Sequence, residues 1–275
     1  MKQRLLQLAI LDRLSSRLYN IFYNRLSAKK GRIIALQILI LSSIIVTAAF
    51  LIRGLTGFGS GLLMVPLLLM FLDMKLVVPT ANSLAVLCGI FLLLTFQTRK
   101  WIRKDVLPTL IIGSVIGVIL GTYVLASYKS SLLKRLFGVF LSGYALKMLF
   151  GRGQKERDLK NYVGLIAGFL GGCLGGMFAT GGPPVIIYLN SKIKDKQAFR
   201  ATLIFYFLVV NTLQFVLYYY ARLISRDVLK FTLYLVPALI IGNLAGSVMH
   251  VRINQILFNR IVALILLVTG VFLIF

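Results

Sequence analysis

The stretch Arg53-Gly-Leu-Thr-Gly-Phe-Gly-Ser-Gly61, followed by Leu-Leu-Met-Val-Pro66, interrupts an apolar chain with four glycines and a proline. A second stretch of the same kind reads Gly171-Gly-Cys-Leu-Gly-Gly-Met-Phe-Ala-Thr-Gly-Gly-Pro-Pro184. Inside a membrane, non-helical backbone is tolerated only where it is buried in protein or lines a wet cavity. We therefore predict two broken or re-entrant helices, over Gly54–Leu72 and Gly181–Asn190.

The composition of the whole chain is that of a membrane protein. Of its 275 residues, 59% are hydrophobic and 14% are charged, whereas soluble proteins are about 45–50% apolar and about 25% charged. The 31 Lys and Arg residues outnumber the 7 acids, for a net charge of +24. Because the basic residues flank apolar runs, we expect anionic lipid headgroups as the counter-charge and no nucleic-acid partner. We predict an integral multi-pass protein of the bacterial inner membrane.

Eight apolar segments are long enough to cross a hydrocarbon core of about 30 Å. They cover residues 33–52, 77–96, 106–126, 132–150, 162–178, 199–220, 228–249 and 257–275. The predicted fold class is therefore an all-α polytopic membrane protein with about eight full spans and two broken or re-entrant segments.

Residues 1–32 carry eight Lys and Arg residues and one acid. Their leucines recur at helical spacing, which predicts a basic amphipathic arm lying on the membrane surface. An organelle transit peptide is the alternative interpretation of the same pattern. The predicted organisation is this arm, a first membrane repeat over 33–150, a basic loop over 151–161 and a second membrane repeat over 162–275.

The two halves of the chain match each other in five places at offsets of 120 to 125 residues. The pairs are Gly61 with Gly182, Ala81 with Ala201, Lys104-Asp-Val-Leu107 with Arg226-Asp-Val-Leu229, Gly117-x-x-x-Gly121 with Gly242-x-x-x-Gly246, and Arg135 with Arg260. This pattern indicates an internal duplication. Five crossings in each half would give two inverted repeats, a common transporter plan, and we predict this arrangement. Four crossings in each half would instead give parallel repeats.

The scarce residue types argue against catalysis and metal binding. Cys88 and Cys173 lie in apolar runs, and His250 is the single histidine. A zinc site needs three or four clustered ligands, and a Ser-His-Asp apparatus needs a histidine beside an acid. We therefore predict no enzyme activity, no catalytic residue, no metal and no cofactor. No acid lies in the middle of a span, which argues against a proton relay, with the span-end residues Asp73 and Asp105 as the alternative.

The broken helices predict an anion site. Unwound glycine segments leave N–H groups free, and the half-helix that follows points its positive end at the break. Arg53 either faces the substrate or reaches to the interface, and Asn82 and Thr202 either line the cavity or cap helices. The predicted substrate-binding residues are Arg53, Thr56, Gly57, Gly59, Ser60, Gly61, Asn82, Thr180, Gly181, Gly182, Pro183, Arg200, Thr202 and Asn211.

Other residues have structural interpretations. Asn211 and Gln214 lie inside an apolar span and need hydrogen-bond partners, either on another helix or on a substrate. Glycines spaced by four, at 164, 168, 172 and 176 and in the pairs 117/121 and 242/246, predict closely packed helices. Trp101, Tyr218, Tyr219 and Tyr220 predict an aromatic belt at the membrane interface.

At the two glycine stretches, and at Ala198-Phe-Arg-Ala-Thr202, the sequence resembles the TauE/SafE family of sulfite and organosulfonate exporters. The resemblance covers about residues 33–275, and Ser60 stands where members often have a third glycine. It implies a membrane transporter for small sulfur-containing anions such as sulfite, sulfoacetate or related sulfonates.

We therefore expect a secondary transporter that works by alternating access around the paired broken helices. An anion channel, or a transporter for a non-sulfur carboxylate or oxyanion, is the alternative on the same scaffold. The expected partners are the small anion and membrane lipids, and the sequence is compatible with a homo-oligomer.

Overall fold

The computed structural model describes residues 35–95, 98–150, 159–248 and 255–275, and within these residues the regular structure is all helical, as predicted. The ten α-helices are α1 (Ala35–Thr56), α2 (Ser60–Leu69), α3 (Met74–Thr95), α4 (Leu107–Ser127), α5 (Ser130–Phe150), α6 (Asn161–Phe178), α7 (Gly182–Lys192), α8 (Lys196–Tyr220), α9 (Arg226–Val248) and α10 (Gln255–Ile274). A short 3-10 helix covers Thr98–Trp101. The predicted arm over 1–32 and most of the loop over 151–161 lie outside the described residues.

The chain divides into two compact units, residues 1–43 and residues 44–275. In the described part of the first unit, residues 35–43 are helical. There, the hydroxyls of Ser42 and Ser43 donate to carbonyl oxygens four residues earlier in the same helix. Such bonds satisfy a hydroxyl inside an apolar helix. The second unit contains the rest of α1 and all of α2 to α10, and it holds every feature described below.

In the part of the chain that the structure describes, six helices are long and apolar enough to cross a membrane: α1, α3, α4, α6, α8 and α9. Of the other two predicted full spans, α5 contains Lys134, Arg135 and Lys147, and the apolar part of α10 is the shorter segment Arg260–Ile274. Helices α2 and α7 have 10 and 11 residues. At about 1.5 Å per residue they cover only about half of a hydrocarbon core. The chain is therefore a multi-pass membrane protein with two short helices where broken helices were predicted.

The outer faces of the long helices are apolar. Ile112 and Ile116 on α4, and Leu233 and Ile241 on α9, are each more than half exposed. Exposed apolar surface on this scale is unusual for a soluble monomer. We expect lipid chains to cover these faces. Helix α3 is the most buried of the six long apolar helices, and it packs against α2, α8 and α9.

The helix order repeats along the chain. In both halves a long helix ends, three non-helical residues follow, and a short helix begins, with the interruptions at 57–59 and 179–181. Helices α2 and α7 begin 122 residues apart, as do α3 and α8, while α5 and α10 begin 125 residues apart. These offsets are close to those of the five sequence pairs.

Glycines bring helices from the two halves of the chain into close contact. Helix α4 packs along α6, where a Cβ added to Gly168 would meet the carbonyl oxygen of Leu110. In the corresponding place α9 packs along α1, where a Cβ on Gly246 would meet the carbonyl oxygen of Leu51. The predicted close packing at these glycines is confirmed. The fourth helix of each half of the chain therefore lies against the first helix of the other half.

Replacing Gly168 with alanine is expected to lower the free energy of unfolding by about 1–3 kcal/mol, because the added methyl group collides with the α4 backbone. The matched control is Gly143→Ala in α5, where an added Cβ has no atom within 4 Å. There, alanine is expected to stabilise the helix by up to about 1 kcal/mol. Unfolding of both purified variants in detergent measures the difference. Equal stabilities would contradict the close approach of α4 and α6.

Candidate functional site

The first break joins α1 to α2 and is built on two glycines with left-handed backbone. Gly57 and Gly59 have φ angles of 87° and 93°, a conformation that glycine adopts without the steric cost of a Cβ. The Gly57 N–H donates to the carbonyl oxygen of Arg53 at 2.7 Å and closes the last turn of α1. Helix α2 then begins at Ser60, directly after Gly59.

The second break joins α6 to α7. Ala179 has a φ angle of 53°, and its N–H donates to the carbonyl oxygen of Gly175 at 2.7 Å. Pro183 and Pro184 occupy the first turn of α7, where a missing N–H removes no helical hydrogen bond. The prediction that these prolines begin a helix is confirmed.

The two short helices begin beside the same cavity. The backbone of α2 lies against the second break, because a Cβ on Gly61 would meet the carbonyl oxygen of Ala179. The cavity has a volume of about 70 Å³ and is lined by both breaks and by residues of α3, α5, α6 and α8. One water molecule needs about 10–15 Å³ by this measure, so several waters or one small anion have room. Two helix N-termini, each with a partial positive charge, therefore border one small space.

Arg53 is the charged side chain of the cavity wall. It is 4% exposed, and its guanidinium donates to Ser60 Oγ at 3.2 Å and to the Ala85 carbonyl oxygen at 3.4 Å. The residues that line the cavity include no Asp or Glu. Because Arg53 is buried at the cavity, the alternative in which its side chain reaches to the membrane interface is wrong. Burying a charge without an ionic partner is costly, which favours an anion as the counter-charge in this cavity.

Amide side chains from the two central helices complete the wall. Asn82 of α3 is 1% exposed, and its Nδ2 donates to the Asn211 carbonyl oxygen of α8 at 3.2 Å. Gln214 of α8 is fully buried, and its Nε2 donates to the Gly175 carbonyl oxygen of α6 at 2.9 Å. The partner that the sequence requires for Gln214 is thus the α6 backbone, one helix turn before the second break.

The cavity brings together ten of the fourteen predicted site residues. These are Arg53, Gly59, Ser60, Gly61, Asn82, Thr180, Gly181, Gly182, Pro183 and Asn211. They fall in two groups, residues 53–82 and residues 180–211, which meet because the start of α2 packs against the second break.

The other four predicted residues, Thr56, Gly57, Arg200 and Thr202, do not line the cavity. The Thr56 hydroxyl bonds within its own turn, donating to the Ile52 carbonyl oxygen at 2.9 Å. Thr202 accepts a hydrogen bond from the backbone N–H of Arg103 at 3.0 Å, so it anchors the segment before α4.

Arg200 supports the first break from outside the cavity. Its Nη2 donates to the carbonyl oxygen of Gly54 at 2.6 Å, in the last turn of α1, where carbonyl groups lack helical partners. A Cβ on Gly57 would lie 2.9 Å from the Arg200 side chain. Arg200 therefore packs over the left-handed turn and neutralises the end of α1.

The sequence patterns did not assign several cavity residues to the site. Three of them are Gln214, Tyr144 and Tyr206. Gln214 was recognisable as an amide inside an apolar span, but nothing in the sequence distinguishes the two tyrosines from those of other membrane helices. Tyr206 is 1% exposed, and its hydroxyl shares a hydrogen bond with Ser114 at 2.5 Å. Only the packing of α8 against α4 distinguishes Tyr206 from an interfacial tyrosine.

The predicted aromatic belt is wrong for Tyr218. Its ring is fully buried, and its hydroxyl donates to the Gly176 carbonyl oxygen at 2.7 Å. Trp101, Tyr219 and Tyr220 are 51%, 66% and 77% exposed, as belt residues would be. Tyr218 differs because it lies on the side of α8 that packs on α6, four residues after Gln214.

Neither span-end acid lies at the cavity. Asp105 forms an exposed ion pair with Arg103 at 2.7 Å, and the hydrogen bond from that guanidinium holds the pKa of Asp105 below its ordinary value. Asp73 is exposed and accepts from the Lys75 backbone and the Ser130 hydroxyl. Among the described residues, the cavity therefore has one formal positive charge, two helix N-termini and no carboxylate, an arrangement suited to a small anion.

The chain is similar to known membrane proteins. The chain matches the family described as Sulfite exporter TauE/SafE over residues 41–273. A protein of Haemophilus influenzae described as a probable membrane transporter protein is 27% identical over 154 residues, which cover 52% of this chain and 58% of that protein. The match thus spans less than two thirds of the relative. No solved structure matches the chain significantly.

Proposed function

Because the chain belongs to the sulfite exporter TauE/SafE family and is a membrane transporter, we propose that it carries a small sulfur-containing anion, such as sulfite, sulfoacetate or a related sulfonate. The family description supports the chemical class of the cargo, and the cavity supports its charge and small size.

The observation that carries the proposal is the buried Arg53 in a cavity whose lining contains no carboxylate. A cation would be repelled there by the guanidinium and by the N-terminal ends of α2 and α7. An anion would receive hydrogen bonds from Arg53 and from the hydroxyls of Ser60 and Thr180 in place of its water shell. Backbone N–H groups at the two breaks would add further donors.

We propose substrate contact for the lining residues and a supporting role for the four predicted residues outside the cavity. Arg200 and Gly57 would hold the shape of the first break. Thr56 and Thr202 would hold the chain on either side of the site. The anion would thus be bound by groups from both repeats at the point where the breaks meet.

The proposed mechanism is alternating access between two inverted repeats, with about eight full spans, in a bacterial inner membrane. The packing of α4 on α6 and of α9 on α1 supports it. Each proposed repeat then has one helix that packs against the helices of the other repeat. Movement of one bundle against the other would open the cavity to one side and then the other. The short helices α2 and α7 would carry the binding groups through this movement.

Reconstituted protein is expected to exchange sulfite or a small sulfonate across proteoliposome membranes with saturation and with counterflow, in which internal anion accelerates uptake of labelled external anion. A carrier shows both because one site alternates between the two sides. Protein-free vesicles are the control. Conductance without saturation or counterflow would indicate the anion channel instead, and exchange of carboxylates alone would indicate the non-sulfur cargo. Transport restricted to cations or neutral solutes would overturn the anion site.

A further inference from the structure

Four buried polar atoms on side chains of the cavity wall have no hydrogen-bond partner among the described residues. Two of them can donate, Arg53 Nε and the Thr180 hydroxyl, and two can only accept, Asn82 Oδ1 and Gln214 Oε1. Buried polar groups are normally paired, so an unpaired set on a cavity wall indicates a ligand with complementary groups. This set requires both acceptors and a donor from that ligand.

The orientation of the Gln214 amide is set by its neighbours. Its Nε2 donates to the Gly175 carbonyl oxygen at 2.9 Å and to the Tyr218 hydroxyl oxygen at 2.6 Å. The Tyr218 hydroxyl donates its own proton to the Gly176 carbonyl oxygen at 2.7 Å. A flipped amide would place Oε1 against a carbonyl oxygen and a hydroxyl whose proton is already used. Oε1 is therefore the atom left for a ligand.

The Asn82 amide is oriented in the same way. Its Nδ2 donates to the carbonyl oxygen of Asn211 at 3.2 Å, a group that can only accept. Oδ1 is thus the second acceptor without a partner. The two acceptors come from α3 and α8, whereas Arg53 comes from the end of α1 and Thr180 from the second break, so donors and acceptors occupy different elements around the cavity.

We infer, on the basis of the proposed anion-transport function, that this site selects a singly charged oxyanion that still bears one proton, such as hydrogen sulfite. Its charged oxygens would accept from Arg53 Nε and Thr180, and its O–H would donate to Gln214 Oε1 or Asn82 Oδ1. A fully deprotonated sulfite or sulfate ion offers only acceptors and would leave both amide oxygens unpaired. A single negative charge also balances the single guanidinium of the wall.

The proton would then cross the membrane with the anion, and no acid of the protein is needed to carry it. The titratable groups on the wall are Arg53, Tyr144 and Tyr206, and Cys88 and Tyr218 lie next to it. Guanidinium, phenol and thiol groups ordinarily titrate above neutral pH. A change of affinity between mildly acidic and neutral pH would therefore come from protonation of the anion.

Calorimetric titration of the purified full-length protein with sulfite and with methanesulfonate, from mildly acidic to mildly alkaline pH, tests the inference. Sulfite takes up its first proton near neutral pH, whereas methanesulfonate is a singly charged sulfur oxyanion with no exchangeable proton over this range. Sulfite is expected to bind about tenfold more tightly at the acidic end than at the alkaline end. Methanesulfonate is expected to show constant affinity, about tenfold weaker than that of sulfite at the acidic end.

The variant Gln214→Met removes one acceptor and is expected to reduce the preference for sulfite over methanesulfonate at acidic pH toward one. General damage to the fold would weaken both ions equally and leave their ratio unchanged. His250→Gln controls for the single imidazole of the chain and is expected to keep the wild-type pH profile. If Gln214→Met does not fold, the wild-type profiles decide the question.

Equal affinities of the two ions at acidic pH, or sulfite binding that tightens as pH rises, would overturn the selection of a protonated anion and leave anion transport standing. Failure of both ions to bind at any pH would overturn the proposed function itself, and the inference with it.

Discussion

Replacing Arg53 with methionine is expected to weaken binding of the anion by about a hundredfold and to abolish transport at working concentrations. A hydrogen bond from a charged group contributes about 1.5–3 kcal/mol. The guanidinium is also the one formal charge among the described residues that line the cavity. Arg53→Lys keeps the charge but loses the Nε donor, so we expect an intermediate loss of about tenfold. Calorimetry with sulfite and proteoliposome exchange measure both variants.

The stability of Arg53→Met separates a binding role from a structural one. Without anion, the variant is expected to unfold at the same temperature as the wild type or higher, because an apolar chain replaces a buried charge that has no carboxylate partner among the described residues. Arg135→Met is the matched control, since Arg135 is exposed on α5 and lies outside the cavity. Wild-type affinity in Arg53→Met, or a large loss of stability without anion, would contradict the assignment.

Replacing Gly182 with leucine is expected to abolish transport while leaving membrane insertion and folding intact. Gly182 begins α7 on the cavity wall, and an added Cβ would lie 3.4 Å from Ile186 and 3.8 Å from Phe207, which is ordinary contact. The rest of a leucine side chain would occupy the space proposed for the anion. Gly59→Leu would also block the cavity, but the φ of 93° at Gly59 adds backbone strain to that result.

A graded series tests this interpretation. Gly182→Ala adds one methyl group and is expected to retain part of the activity, whereas Gly182→Leu is expected to retain none. Gly143→Leu in α5 is the matched control, because a Cβ there meets no atom within 4 Å and the position lies outside the cavity. The measurements are initial rates of exchange and the amount of folded protein in the membrane. Normal rates in Gly182→Leu would show that the substrate passes elsewhere.

Residue types and their periodicity were enough to predict most of the fold and much of the candidate site. Long apolar runs predict spanning helices because a lipid core accepts little else, and glycine with proline predicts a break because neither favours helix continuation. Gly59, Ser60, Thr180 and Gly182 were identifiable for this reason, together with Arg53 beside them. Repetition of the same signals in both halves placed the two breaks in equivalent positions.

The sequence could not predict which side of its helix a given residue would face. Tyr218 stands in a run of three tyrosines, yet it turns inward to bond the α6 backbone while its two neighbours are exposed. Arg200 and Arg53 each lie near a break, yet one supports the break from outside and the other enters the cavity. On a helix, successive residues point about 100° apart, so the neighbouring helix decides which of them is buried.

By itself, the sequence determined that this is a helical membrane protein with two equivalent helix breaks and an excess of positive charge, because these properties depend on local composition. The tertiary structure alone decided that the breaks touch and that Gln214 and Tyr206 join the cavity. It also left Arg53 without a carboxylate on the cavity wall. These features arise from contacts between helices that are far apart in the chain, and such contacts depend on the close approach of backbones at glycine rather than on any local pattern.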